Sequence, residues 1–222
     1  MEKITIIELK ESILKDNDAD ADKLRLELKE KNTYFINVMS APGSGKTSTL
    51  TALDKYFKGR IKWGVIEADI DSDVDAVALN NAGIISVQAH TGGMCHLDAD
   101  MARQGIRQLD GYELDLIVLE NIGNLVCPAE FDTGANLKLT ILSVPEGDDK
   151  PAKYPLMYEV SDVLVINKVD ALAAFDFDKS RVESDVRALN PDIKIFYISA
   201  KTGEGVEELA AYILDKIREY RG

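Results

Sequence analysis

The stretch Ser40-Ala-Pro-Gly-Ser-Gly-Lys-Thr47 decides the fold of this 222-residue chain. It follows a short apolar run that ends at Met39, and it opens a segment of helical length. A loop of the form G-x-x-x-x-G-K-[ST] between a strand and a helix is typical of proteins that bind nucleotide phosphates. Ser40 occupies the position of the first glycine, but the second half of the pattern is intact. The sequence therefore predicts a P-loop.

Each residue type in this loop suits a phosphate group. Gly43 and Gly45 allow backbone N–H groups to curl around phosphate oxygens, because no Cβ atom stands in the way. Lys46 would bring a positive charge to the β- and γ-phosphates, and the hydroxyl of Thr47 suits Mg²⁺. The helix that follows directs the positive end of its dipole at the same place. We expect the phosphate site to be formed by Gly43, Ser44, Gly45, Lys46, Thr47 and Ser48.

From residue 32 onwards, short apolar runs alternate with helix-length segments. The predicted strands are Tyr34–Met39, Lys62–Ile66, Ile84–Gln88, Leu114–Leu119, Leu137–Val144, Val163–Ile166 and Lys194–Ile198. Helices are predicted after Gly45, Cys95, Lys153, Asp178 and Glu204. This alternation favours a three-layer α/β P-loop NTPase fold over residues 32–222, with a mostly parallel sheet and flanking helices. Ligands of such sheets bind at the carboxyl ends of the strands.

The segment Asn167-Lys-Val-Asp170 follows a predicted strand and suits guanine. Guanine offers two donors, N1–H and the exocyclic amine, and the carboxylate of Asp170 can accept both, whereas adenine lacks that pair. Asn167 can bridge the base and the loop, and the stem of Lys168 can lie over the ring. After the last strand, a backbone N–H would reach the guanine O6 from Ser199, Ala200 and Lys201. Together with the P-loop, these motifs predict a GTP-binding protein.

Acidic residues at two further strand ends suit Mg²⁺ and an attacking water. Glu120-Asn-Ile-Gly123 stands where conventional GTPases have Asp-x-x-Gly. Glu120 is therefore predicted to hold Mg²⁺, and the backbone N–H of Gly123 to approach the γ-phosphate. Asp69 and Asp75 are candidates for Mg²⁺ or for the nucleophilic water. With Lys46 and Glu120 they form the predicted catalytic set.

Hydrolysis of GTP is expected to be slow. No Gln beside Gly123 suits the usual role of positioning water, although Mg²⁺ and lysine charge would stabilise the transferring phosphoryl group. Lys150 or Lys153 is a hypothesis for a residue that reaches the γ-phosphate of a partner across a dimer. Asp71 and Asp73 are interpreted as a solvated acidic loop.

Both cysteines lie in places that suit a metal. Cys95-His96 stands at a predicted helix start, and Cys127 follows the Glu120 segment. Two thiolates and an imidazole suit Zn²⁺ or Ni²⁺, and a helix N-terminus would lower the pKa of Cys95. Three ligands leave such a site open to a transferable metal, or to sharing across a two-fold dimer. Equally, Cys127 can be a small core residue and a lone histidine a hydrogen-bonded surface residue, which is how His90 is interpreted.

The charge of the whole chain argues against some partners. It has 26 Lys and Arg against 39 Asp and Glu, a net charge of -13, and would be repelled by nucleic acid. No apolar run reaches membrane-spanning length, the N-terminus is too charged for a secretory signal, and two cysteines make no disulfide framework. We expect a cytoplasmic protein that binds neither nucleic acid nor membrane.

Residues 1–31 are predicted to form a helical extension. Their spaced apolar positions indicate one or two amphipathic helices, broken near the acidic stretch Asp16 to Asp20. Such helices either pack on their own domain or serve as an arm that docks a partner.

Three further motifs resemble those of one family. They read Thr91-Gly-Gly-Met-Cys-His-Leu-Asp-Ala99, Glu120-Asn-Ile-Gly-Asn-Leu-Val-Cys-Pro128 and Pro145-Glu-Gly-Asp-Asp-Lys150. With the nucleotide motifs, they are similar to HypB, the nickel-incorporation GTPases of [NiFe]-hydrogenase maturation, within the SIMIBI class. The resemblance implies a homodimer whose association and metal release are controlled by GTP. It also implies HypA-type metallochaperone and hydrogenase large subunit as partners, and a nickel or zinc site at Cys95, His96 and Cys127.

The chain departs from this family in two places. Many relatives carry a Cys- or His-rich N-terminus that binds nickel tightly, whereas no Cys or His precedes His90 here. Relatives often have Arg after Asp-Ala in a switch segment, and Asp75-Ala-Val lacks it. A urease-type nickel GTPase is one alternative, although that family carries Cys-Pro-His where Cys95 and His96 are adjacent. The other alternative is a metal-binding regulatory module in which GTP is only structural.

Overall fold

The computed structural model describes residues 9–69 and 74–222, and its framework is a seven-stranded sheet. The strands are β1 Tyr34–Ser40, β2 Trp63–Asp69, β3 Ile85–His90, β4 Leu116–Gly123, β5 Leu137–Ser143, β6 Val163–Asn167 and β7 Lys194–Tyr197. They lie in the order β3-β2-β4-β1-β5-β6-β7, and every neighbouring pair is parallel. The predicted fold class is confirmed, and the predicted strand ends differ from the observed ones by a few residues.

Helices connect these strands and cover both faces of the sheet. They are α1 Leu9–Glu30, α2 Lys46–Phe57, α3 Val74–Asn81, α4 Ala99–Arg107, α5 Cys127–Glu130, α6 Lys150–Lys153, α7 Pro155–Glu159, α8 Lys179–Leu189 and α9 Val206–Arg221. The sequence did not predict α3. Its apolar side chains do not share one face, since Ala76 and Leu79 are buried while Val74 and Val77 are exposed.

The core is divided between the two faces of the sheet. On one face, α2 and α9 pack together over the central strands, with Leu53 and Ile213 buried against Val118. On the other face, α1 and α4 cover one half of the sheet, and α7 and α8 cover the other half. The helical layers on both faces hold the sheet rigid, and the rigid sheet positions the loops at the carboxyl ends of its strands.

Within the described residues, the N-terminal segment forms a single helix, α1, that packs on the domain. The predicted break near Asp16 to Asp20 is wrong, because α1 continues through this stretch. The side chain of Asn17 is buried, and it donates to Asp132 O at 2.9 Å and accepts from Ala99 N at 2.9 Å. These tertiary contacts hold the helix where acidic neighbours would weaken it. Downstream on the same helix, Leu24 and Leu28 are buried beside β1.

In the part of the chain that the structure describes, no helix is both long enough and apolar enough to cross a membrane.

Candidate nucleotide and metal sites

The phosphate loop connects β1 to α2 at the carboxyl edge of the sheet. Gly43 and Gly45 have φ angles of 75° and 97°, in the left-handed region that glycine adopts without strain. A Cβ atom on Gly45 would lie 2.6 Å from Asn167 Nδ2, so both the backbone and a neighbour require glycine. Lys46 is the first residue of α2. The unpaired N–H groups of a first helical turn can therefore face a phosphate in this loop.

Ser40, which replaces the first glycine of the pattern, has its own role in the loop. Its side chain and that of Ser44 are fully buried. Ser44 Oγ donates to Ser40 Oγ at 2.6 Å, and Ser40 Oγ donates to Ala41 O at 2.8 Å. The hydroxyl pair closes the base of the loop, so the departure from the pattern is compensated by hydrogen bonds.

The side chain of Asn167 joins three loops. Its Nδ2 donates to Ser44 O at 2.9 Å, and its Oδ1 accepts from Lys168 N at 2.7 Å and from Ala200 N at 3.1 Å. The phosphate loop, the Asn167–Asp170 segment and the Ser199–Lys201 segment are thus tied together. The sequence suggested that Asn167 bridges the base and a loop, and the loop that it contacts is the phosphate loop.

Two charged side chains follow Asn167. Lys168 has a positive φ of 62°, and its Nζ donates to Gly43 O at 2.7 Å. Its stem therefore crosses from the base segment to the phosphate loop. Asp170 Oδ1 accepts a hydrogen bond from Ser199 Oγ at 2.7 Å. The carboxylate is oriented from one side and can still accept hydrogen bonds from a ligand.

These loops line an open cleft of about 700 Å³. The predicted nucleotide-binding residues that line it are Gly45, Thr47, Ser48, Asn167, Lys168, Asp170, Ala200 and Lys201. A second cleft, of about 530 Å³, lies beside Thr33 and Asp115, which precede β1 and β4. That second cleft is at the amino ends of the strands and contains none of the predicted motifs. The geometry of a nucleotide site is found only in the first of these two clefts.

Thr47, which lines the first cleft, contacts Glu120. Thr47 Oγ1 donates to Glu120 Oε1 at 2.7 Å, while Glu120 Oε2 is buried and without a hydrogen-bond partner. Burial raises the pKa of Glu120 to about 7, although the Thr47 hydrogen bond and the charge of Lys46 lower it. A hydroxyl beside a carboxylate oxygen that lacks a partner is a donor set that fits Mg²⁺.

Glu67 lies next to Glu120 in the sheet, and no role was predicted for it from the sequence. The two residues are paired across β2 and β4, and Glu67 is also buried, with Oε2 unpartnered. Burial, together with the nearby carboxylate of Glu120, raises the pKa of Glu67 to about 7, although the side-chain amide of Gln88 lowers it. A glutamate within an otherwise apolar strand was the available signal for this buried pair.

The other predicted acidic residues take different positions. Asp69 ends β2, where its carbonyl accepts from Thr91 N at 3.2 Å. Asp75 is exposed in the first turn of α3 and lines the nucleotide cleft, and its charge contributes to the raised pKa of Glu120. Asp71 and Asp73 lie outside the described residues.

Gly123, the last residue of β4, packs directly on the phosphate loop. A Cβ atom at this position would lie 2.9 Å from Pro42, closer than carbon atoms approach without displacement. Only glycine therefore allows this contact in its present geometry. Movement of the phosphate loop at Pro42 and movement of the segment after β4 are sterically linked.

The structure brings Cys95, His96 and Cys127 together. Cys95 Sγ lies 2.9 Å from Cys127 Sγ and 3.9 Å from His96 Nδ1, and the potential ligand atoms all lie within 4.8 Å of one another. Cys95 is exposed and Cys127 is partly exposed, so a metal could enter from solvent. Two thiols and an imidazole at this spacing fit Ni²⁺ or Zn²⁺.

The predicted pKa shift of Cys95 is wrong in direction. Cys95 lies in the loop after β3, and α4 begins only at Ala99, with Asp98 as its N-cap. The hydrogen bond with Cys127 raises the pKa of Cys95, and burial raises it further. Burial lowers the pKa of His96, although Asp98 and Glu130 act in the opposite sense. His96 is therefore neutral at pH 7 and able to bind a metal through a ring nitrogen.

Comparisons with known proteins indicate one family for this chain. The family model described as "CobW/HypB/UreG, nucleotide-binding domain" matches residues 34–197. The hydrogenase maturation factor HypB of Azotobacter chroococcum is 41% identical over 208 residues, which are 94% of this chain and 68% of that protein. The hydrogenase/urease maturation factor HypB of Helicobacter hepaticus is 38% identical over 214 residues, 95% of this chain and 88% of that protein.

A solved structure is also similar over almost its whole length. The crystal structure of HypB from Helicobacter pylori in complex with nickel has a TM-score of 0.88 and 36% sequence identity to this chain. The match covers 92% of this chain and 96% of that one. Fold and sequence therefore indicate the same relatives.

Proposed function

The chain belongs to the HypB family of hydrogenase maturation factors, within the CobW/HypB/UreG group of nucleotide-binding domains, and we propose from this premise that it is a GTPase that assists nickel insertion into [NiFe]-hydrogenase. The observation that carries the proposal is the short segment from Gly123 to Cys127. It begins against the phosphate loop and ends in the thiol and imidazole cluster. Nucleotide and metal are therefore expected to influence each other.

The contacts among the phosphate loop, the Asn167–Asp170 segment and the Ser199–Lys201 segment support this proposal for the nucleotide site. Gly43, Gly45 and Lys46 would hold the phosphates, and Asp170 would select guanine by accepting its two donors. Thr47 and Glu120 would hold Mg²⁺. A bound Mg²⁺ would neutralise the negative charge that develops on the phosphoryl oxygens during hydrolysis. Lys46 would stabilise the same charge, and Asp69 and Asp75 stay candidates for the ion or the attacking water.

Hydrolysis is proposed to be slow and to act as a switch. Beside Gly123 stands Asn124 rather than a glutamine that could orient water. In the GTP state, the Glu120–Gly123 segment would be ordered by its contacts to the bound nucleotide and Mg²⁺, and this order would set the position of Cys127. After hydrolysis the segment relaxes and the nickel is released to the hydrogenase large subunit, with a HypA-type metallochaperone as the second partner.

A nickel titration of the full chain tests this function, with a non-hydrolysable GTP analogue and with GDP. We expect stoichiometric binding whose affinity differs between the two nucleotides. His96→Ala and Cys127→Ser remove the site, whereas His90→Ala keeps it, because His90 is exposed at the end of β3. Equal nickel affinity in the two states contradicts the switch, and nickel binding that survives Cys127→Ser contradicts the assigned ligands.

Phosphate release in the presence of Mg²⁺ tests the enzymatic part separately. We expect slow turnover that requires Mg²⁺ and is lost in Lys46→Ala. A bound nucleotide that persists for days without hydrolysis would instead support a regulatory module with structural GTP.

Urease is a second candidate recipient of the nickel. The similarity to the Helicobacter hepaticus protein, which is a hydrogenase/urease factor, favours including it. Transfer of radioactive nickel from the protein to purified apo-hydrogenase and apo-urease distinguishes the two recipients.

A further inference from the structure

The last residue of β4 lies against the phosphate loop, and the chain leads from there towards the two cysteines. Gly123 lies against Pro42, and the next residue, Asn124, is the first whose side chain extends towards the cysteines. A displacement of Gly123 therefore moves Asn124 before it moves any metal ligand.

Asn124 connects the two chain segments that carry the thiols. Its Nδ2 donates to Cys95 O at 3.3 Å, and its Oδ1 accepts from Val126 N at 2.9 Å. In the Asn124 side chain the amide oxygen can only accept hydrogen bonds and the amide nitrogen can only donate them. These two contacts therefore fix the orientation of the side-chain amide. One bond reaches the loop of Cys95, and the other shapes the turn that leads into Cys127.

Phe131 contacts the cluster of Cys95, His96 and Cys127 in a different way. Its ring stacks on the imidazole of His96, with centroids 3.8 Å apart and planes inclined by 19°. Phe131 follows α5, so it lies beyond Cys127 and on the side of the cluster away from Gly123 in sequence. It can restrain the imidazole without being part of the connection to the phosphate loop.

We infer that Asn124 is the positioning residue through which the nucleotide state reaches the nickel site. This inference rests on the proposed function, since it explains how that function would be regulated. When nucleotide moves Gly123, the amide of Asn124 shifts the Cys95 loop together with the turn into Cys127. The separation and direction of the two thiols then change as one unit, and nickel affinity changes with them.

The test compares the nickel affinity with the GTP analogue to that with GDP, within each variant of the full chain. Wild type is expected to give a ratio in the usual range of allosteric coupling, about 5- to 150-fold. Asn124→Ala removes both hydrogen bonds and should bring the ratio close to one. Asn124→Asp keeps the acceptor for Val126 N but loses the donor to Cys95 O, and should do the same.

Two variants serve as contrasts. Phe131→Leu loses the stacked ring and should weaken nickel binding by the same factor with both nucleotides, which leaves the ratio intact. Asn81→Ala removes an exposed amide at the end of α3 and should change neither affinity nor ratio. Since coupling is reciprocal, nickel should shift the preference for the GTP analogue over GDP by the same ratio in every variant.

The outcomes separate this inference from the proposed function. A wild-type ratio of one overturns both. A wild-type ratio well above one that persists in Asn124→Ala overturns the role of Asn124 and leaves the proposed function standing. Loss of the ratio in Phe131→Leu as well would overturn the inference too, because any loosening of the cluster would then be sufficient.

Discussion

Asp170 is the residue that we expect to select the base of the nucleotide. Its carboxylate accepts a hydrogen bond from Ser199 Oγ at 2.7 Å. This bond restricts the side chain to one rotamer, in which the carboxylate can accept both guanine donors. Asp170→Asn replaces one acceptor with a donor, and GTP affinity should fall by about 100-fold or more, because buried donors are left without partners. Xanthosine triphosphate should gain affinity, since its 2-oxo group accepts from the new amide. Competition binding with the two nucleotides measures this, and an unchanged preference for GTP would place the base elsewhere.

The buried pair Glu67 and Glu120 predicts a pH dependence at the same scale. Both folded-state pKa values, about 7, lie above the ordinary value of 4.5. The protonated forms are therefore favoured by folding, and their contribution to stability is present below about pH 4.5 and lost as the pH rises to 7. In the protein without nucleotide and Mg²⁺, stability should fall over this interval, by up to about 3 kcal/mol for one carboxyl group.

Glu67→Gln should reduce that fall, because one of the two titrating groups is gone. Urea unfolding between pH 5 and 8 in the presence of a chelator measures the effect. Glu159→Gln is the matched control, since Glu159 is exposed. A Glu67→Gln protein with the wild-type pH profile would contradict the raised pKa of Glu67.

Individual residues also mark what the sequence could and could not predict at the site. The nucleotide motifs and the three candidate metal ligands belong to short local sequence motifs, which can be recognised without a structure. The structure brings the residues of each of these two sites together. Glu67, Asn124 and Phe131 are different, because their importance lies in contacts with residues remote in sequence. Likewise, the sequence placed Cys95 at a helix start and expected a lowered pKa. The fold puts it opposite another thiol, which raises it.

At the scale of secondary-structure elements, α1 offers a direct test of its packing. Leu24 and Leu26 lie two residues apart on this helix, but Leu24 is 1% exposed and Leu26 is 67% exposed. Leu24→Ala should lower the free energy of unfolding by about 2–5 kcal/mol, because it removes buried methyl groups and leaves a cavity. Leu26→Ala should change it by about 0.5 kcal/mol or less. Chemical denaturation measures both, and equal effects would mean that α1 does not pack on the sheet in solution.

The same helix explains one limit of the prediction at this scale. Apolar spacing indicated a helix, but the acidic stretch indicated a break. The deciding interaction, Asn17 with Asp132 O and Ala99 N, joins segments about which local sequence says nothing. Strands were easier to predict, since residues buried on both faces of a parallel sheet form continuous apolar runs.

At the scale of the whole molecule, the cluster of Cys95, His96 and Cys127 leads us to expect self-association. Three ligands leave a metal with room for more, and Met94 and Val126 are exposed beside the two cysteines. We expect nickel and a GTP analogue together to raise the mass in solution from 24.5 kDa to about twice that value. Cys95→Ser should remove the metal-dependent part of this change. Light scattering coupled to size exclusion measures it, and a protein that remains monomeric under all conditions would contradict the homodimer.

The strand order has a consequence for how the protein is made. β1 carries the phosphate loop, yet its two neighbours in the sheet are β4 and β5, which pair with it through Leu116 and Leu137. The ribosome must therefore synthesise the chain well beyond the loop before β1, which carries the loop, can pair with its neighbouring strands. Asn167 and Ala200, which tie the loop from the other side, emerge later still. Binding of GTP can thus stabilise only chains whose translation has passed the last strand. A prematurely released fragment would contain the P-loop motif but would be unable to bind GTP.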